Sequence, residues 1–231
     1  MRARVAWLVG ALLAGLTGAA WGEDADRDYL RTLERFEQGR GVSLERVFDA
    51  GRAAARELSG AGPGARMPAS EVPRGLGIRL GEESLLVGPD PRFFLDLARR
   101  RGTAVDEAFF TLLRDTYHAD GVTRRYTVPR SDVSVCHVFD HPDLESLYRN
   151  WTRFWATHPR AYSDVVDREV KALEDMVAQS TCACGDRESV EAGLERFLKS
   201  FPRSPVERQV RARLERLRAG TSDFRFRCPT G

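Results

Sequence analysis

The chain has 231 residues, with 36 Lys and Arg against 34 Asp and Glu, a formal net charge of +2 at pH 7. That length suffices for one domain with a substantial core, and the near-neutral balance argues against a nucleic-acid binder, which usually carries a clear basic excess. The basic residues are arginines except Lys171 and Lys199.

Residues 1–22 read as a secretory signal: Arg2 and Arg4 form a positive start, Val5 to Ala20 an apolar run, and Ala20-Trp-Gly22 a small-residue cleavage site before Glu23. Export makes disulfides the default state of the four cysteines, Cys136, Cys182, Cys184 and Cys228. After cleavage no stretch is apolar enough to span a bilayer, which takes about 20 residues.

Two N-terminal helices follow over 23–58. Tyr29, Leu30, Leu33 and Phe36 share one face of the first, and Ser43 caps the second. Residues 59–75 form a Gly/Pro-rich loop. The remaining 76–231 reads as a disulfide-stapled helical domain. It opens with a small β element at 76–88, a hairpin around Gly81-Glu-Glu83. Asp90-Pro91 starts a helix that Arg99-Arg-Arg101-Gly102 ends, with Gly102 in the left-handed conformation. Thr103 and Asp106 make a capping box for the next helix, to about Thr116. A second β element lies within 122–139, as two strands around Pro129-Arg-Ser131.

Leu144 to Trp155 is the expected centre. Leu144, Leu147, Tyr148, Trp151, Phe154 and Trp155 fall on one helical face, and Asp140-His-Pro-Asp143 supplies its start. A long helix runs to Gln179, and Asp186 caps another that ends at Phe201-Pro-Arg203. Ser204-Pro-Val-Glu207 has the form of a capping box for the last helix. The expected fold class is therefore mainly α, built from helical hairpins.

The corner Phe197…Phe201-Pro-Arg-Ser-Pro205, with the helix behind it, resembles a tetratricopeptide-type helix pair of envelope proteins over residues 186–218. Such modules bind proteins, so the resemblance implies a protein partner.

Reflection of each cysteine through the turn of its helical hairpin predicts the pairs Cys136–Cys182 and Cys184–Cys228. A redox role for the closely spaced Cys182 and Cys184 is the sharpest alternative, although the usual redox spacing has two intervening residues. A zinc site from Cys136, His137, His141, Cys182 and Cys184 lacks the paired spacings such sites show, so no metal is expected. There is no Gly-x-Ser-x-Gly, phosphate loop or dinucleotide fingerprint. No catalytic residue or cofactor is assigned, and only a carboxylate site assembled from distant segments escapes such motifs.

From Arg203 to Cys228 eight arginines stand against Glu207, Glu215 and Asp223. Arg208, Arg211, Arg218, Arg225 and Arg227 make an anion-binding patch there, or else a solvated face knitted by pairs such as Glu207–Arg211. The expected protein is an exported binding or structural module, periplasmic or extracellular, whose partner is a protein or a cell-envelope polymer. An extracytoplasmic enzyme or thiol-redox protein is the alternative. The sequence sets no oligomeric state.

Overall fold

The computed structural model describes residues 22–61, 71–132 and 134–228. The predicted signal at 1–22 lies outside them apart from Gly22, as do most of the Gly/Pro-rich loop and Val133.

Helices α1 (Gly22–Glu37) and α2 (Leu44–Leu58) form a hairpin, with Ser43 capping α2 through the Arg46 amide. A three-stranded antiparallel sheet follows in the order β1 (Gly60–Ala61), β3 (Ser84–Pro89), β2 (Leu76–Leu80). The β2–β3 hairpin is the one predicted, and β1 adds to it within the predicted loop. Ser59 fastens α2 to this sheet: its Oγ donates to the Ala55 carbonyl at 2.7 Å and accepts the Val87 N–H at 2.9 Å.

Helices α3 (Pro91–Arg101) and α4 (Ala104–Thr116) make the second hairpin, with the Thr103–Asp106 capping box in place. Gly102 is not left-handed; its φ is −84°. It has another reason to be glycine, because a Cβ at this position would stand 2.9 Å from the Ala98 backbone. Strands β4 (Thr127–Pro129) and β5 (Val135–His137) pair antiparallel. Helix α5 (Leu144–Thr157) packs on α6 (Ser163–Gln179), and α7 (Arg187–Ser200) pairs with α8 (Glu207–Arg218).

One hydrophobic cluster runs from Tyr29 to Phe224, so the N-terminal helices share a core with the rest. Its aromatic centre is Phe48, with edge-on contacts to Phe94, Phe109, Phe110 and Tyr162. Tyr162 is the only described non-glycine residue with positive φ (52°). Three partners hold that strained backbone. Its ring stacks on Phe109 at 3.7 Å, its N–H donates to Glu45 at 2.6 Å, and its OH donates to Asp106 at 2.6 Å.

Trp151 is fully buried and its indole N–H donates to Thr116 Oγ1 at 2.9 Å. Trp155 departs from expectation: it is 44% exposed. The end of α7 packs at Tyr148, whose ring lies 4.7 Å from Phe201. Trp155 is seven residues further along α5, about 10 Å beyond that cover.

Two predicted helix starts also differ. At α5, Asp143 makes no side-chain cap; the His141 imidazole accepts the Asp143 N–H instead. At α8 no capping box forms, because Glu207 turns forward to Arg211, a charged partner one turn away. Ser204 Oγ is left buried without a partner.

The disulfides are Cys136–Cys184 and Cys182–Cys228. This corrects the predicted pairing, and it also breaks up the proposed redox pair of Cys182 and Cys184. The reflection placed Cys182 beside Cys136, and residues 182–184 do lie against β5: His137 N–H donates to the Cys182 carbonyl and Cys184 N–H to the His137 carbonyl, at 3.0 and 2.8 Å. Cys184 reaches Cys136 diagonally across this bridge. Cys182 is taken from the other side by the C-terminal tail, through a parallel bridge with Arg225.

Candidate functional site

A polar recess of about 360 Å³ lies between the β2–β3 hairpin, segment 122–129, β5 and the last turns of α6. Local chemistry explains how each wall is held. After α4 the chain turns back at Asp120, whose Oδ1 accepts the N–H groups of Val122 and Thr123 at 3.0 and 2.9 Å. Gly121 there has φ +70°, a conformation that favours glycine. The turn brings Arg124 opposite Tyr117 in a β-bridge and sets its guanidinium 5.5 Å from the Tyr117 ring.

Arg124 grips Glu169 of α6 with two N–H groups, at 2.9 and 3.2 Å, and Tyr117 OH donates to the same carboxylate at 2.8 Å. Glu169 is 2% exposed, so this is a buried, charge-assisted cluster at the back of the recess. Burial alone lowers a guanidinium pKa, but the Tyr117 and Glu169 oxygens outweigh it and hold Arg124 above its ordinary value.

Among the described residues, three buried polar atoms here have no partner: Tyr126 OH, His137 Nδ1 and Arg79 Nε. All three residues line the recess. Tyr126 is 1% exposed, and burial pushes its phenol pKa up, so the OH remains a donor. Burial, then the Arg124 charge, hold His137 below the usual imidazole value, so its ring is neutral at pH 7. Asp132 closes one side. It accepts the amides of Glu83 and Glu82 at 2.6 and 2.9 Å, and those bonds hold its carboxyl below the ordinary range. The adjacent acids Glu82 and Glu83 are thus turn residues, as expected, and their backbone is what the site uses.

Asp175 of α6 and Asp132 of the 129–135 connection both line the recess, and Glu169 of α6 is tied to it through Arg124. Their arrangement suits binding better than proton transfer. Asp132 is held ionised, and Glu169 is already engaged by Arg124 and Tyr117. Of the metal ligands considered from sequence, all three cysteine sulfurs are consumed in disulfides, and among the described residues no cluster of His, Cys, Asp and Glu could hold a metal ion.

The predicted anion patch is spread out. Arg211 pairs with Glu207 along α8, as expected. Arg218 pairs across to Glu191 and Glu195 of α7. Arg208, Arg225 and Arg227 are exposed. Arg213, between them in sequence, is 2% exposed and serves the fold: it donates to the Val177 and Ser180 carbonyls at 3.0 and 2.6 Å, closing the end of α6.

A second, wider groove of about 490 Å³ runs between α4 and α5, past Leu112, Phe154 and His158. None of the residues lining it holds a buried unpartnered polar atom among the described residues.

Sequence reasoning missed the recess. The available signal was Glu169, a lone acid between Val166, Val170 and Leu173 on the apolar face of α6. Comparison with protein-family models, curated proteins and solved structures found no match. The chemistry of the recess therefore carries the functional reading.

Proposed function

We propose that the chain is an exported binding module that holds a small polar group, free or as part of an envelope polymer, in the recess beside α6. The observation that carries this is that three residues lining one recess each hold a buried polar atom with no partner among the described residues. Buried polar groups are nearly always hydrogen-bonded, and each orphan costs about 1–3 kcal/mol. A ligand that satisfies them recovers that cost on binding.

The two disulfides and a fold whose described helices are all too short or too polar to cross a membrane support an oxidising, extracytoplasmic location. Cys182 and Cys184 are bridged to different partners, which favours reading the bridges as staples. The α7–α8 hairpin, on its resemblance to a tetratricopeptide-type pair, offers a second surface for a protein partner.

A thermal-shift screen of the oxidised chain against small polar compounds tests the recess. At least one compound is expected to raise the Tm of the wild type and not that of Arg79→Ala. A screen with no such compound, or shifts that persist in the variant, removes the reading.

A further inference from the structure

Resting on that reading, we propose that the recess takes a neutral, hydroxyl-rich ring: a free monosaccharide or the terminal unit of a glycan.

The formal charges around the recess are of both signs, and protein groups engage most of them. Nε and one Nη of Arg124 are spent on Glu169. Asp132 is bound by two amides and lies within electrostatic reach of Arg79. Asp175 accepts the Gln179 side-chain amide at 2.9 Å. An anionic ligand would enter beside two carboxylates, Asp132 and Asp175. A cationic one would face two guanidiniums. Either would set its charge beside like charges in a partly enclosed site, which is costly.

What remains open is a set of single hydrogen-bond positions. Tyr126 OH both donates and accepts, Arg79 Nε–H donates, and a neutral His137 offers Nδ1 as donor or acceptor according to tautomer. A sugar hydroxyl also does both, so a hydroxyl-bearing ring meets positions of this kind without importing charge. Val122 and Met176 supply apolar wall for the C–H face of such a ring. At about 360 Å³ the recess lies at the small end of ligand sites, which run about 300–1,000 Å³, and suits a single ring better than a long chain.

The test is calorimetric titration of the oxidised chain with glucose, galactose and N-acetylglucosamine as neutral probes. Glucuronate and glucosamine are the charged counterparts, and an N-acetylglucosamine trimer represents the glycan end. One neutral probe is expected to bind at least about tenfold more tightly than either charged one. Preference for the trimer over N-acetylglucosamine identifies a glycan terminus as the source; equal affinity identifies the free sugar. Tyr126→Phe is the matched variant. It removes an unsatisfied buried hydroxyl and keeps the ring, so the ligand-free variant is expected to melt at or above the wild-type Tm while its sugar affinity falls at least about tenfold. A purely structural tyrosine would show the reverse on stability.

Tighter binding of glucuronate or glucosamine, lost in Tyr126→Phe, overturns the neutral class and leaves the recess as the binding site. Neutral-sugar binding that survives Tyr126→Phe places the sugar elsewhere and overturns the proposal. No binding by any probe at millimolar concentration, with Tyr126→Phe melting below wild type, overturns both the sugar and the recess.

Discussion

Glu169 is the residue on which the recess depends most. Its carboxylate is buried and answered only by Arg124 and Tyr117. Arg124→Met leaves that carboxylate buried without its cation, a change that costs about 3–5 kcal/mol. Chemical denaturation is expected to show this loss. Restoration by Glu169→Leu in the same chain, measured as a double-mutant cycle, would show that the pair and not either residue alone is at stake. Trp151→Ala removes a fully buried side chain from the core and severs the bond to Thr116, for an expected loss of about 3–5 kcal/mol. The partly exposed Trp155 serves as the control: Trp155→Ala should cost much less, despite lying on the same helical face.

The histidines set a pH dependence at the same scale. His137 and His141 both titrate below the ordinary imidazole value, chiefly because burial disfavours their charged forms. Unfolded, both titrate near ~6.5. Between that value and their lower folded values the unfolded chain binds more protons, so stability falls as the pH falls through this window. Above about pH 6.5 their contribution is constant. Tm measured from neutral to mildly acidic pH is expected to decline, and His137→Gln to flatten the decline.

At the scale of elements, residues 182–184 tie the strands and the tail to the helices. They are bridged to β5 on one side and to Arg225 on the other, with a disulfide to each segment. Each disulfide closes a long loop, with sequence separations of 48 and 46. In the chain-entropy model that is worth roughly 4 kcal/mol apiece. Peptide mapping of the unreduced protein is expected to give Cys136–Cys184 and Cys182–Cys228 fragments. Since β5 carries His137 into the recess, Cys136→Ser with Cys184→Ser should weaken ligand binding as well as stability. Helix α8 makes a different prediction. With Arg211 and Arg218 engaged by glutamates, its arginines behave as a solvated face. Binding of the oxidised chain to anionic vesicles is expected to be weak at physiological salt. Strong, salt-sensitive binding would reinstate the patch formed with Arg208, Arg225 and Arg227.

Across the whole molecule, local rules and long-range contacts divided the work unevenly. Helices at Leu44–Leu58 and Ala104–Thr116 were legible, because 3.6-residue periodicity and a cap are written within a few turns of chain, and Ser163–Gln179 was legible from its periodicity alone. The β2–β3 hairpin was legible for the same reason, with its turn and both strands adjacent in sequence. The failures share a cause. Ser204 resembles a cap, but Glu207, the acid its box needs, is taken by Arg211. Trp155 lies on the correct face, but where α7 ends decides whether that face is covered.

The amino-acid sequence alone determined an even set of cysteines behind a secretory-type start, a mainly helical chain and the aromatic stripe that fills its core. Only the tertiary structure decided which cysteines meet, because residues 182–184 lie between β5 and the C-terminal tail, and no local pattern encodes which of the two each cysteine takes. It alone also decided that a site exists. Arg79, Tyr126, His137 and Glu169 come from four separate segments, and their polar atoms acquire meaning only when packing removes water from around them and leaves some without partners.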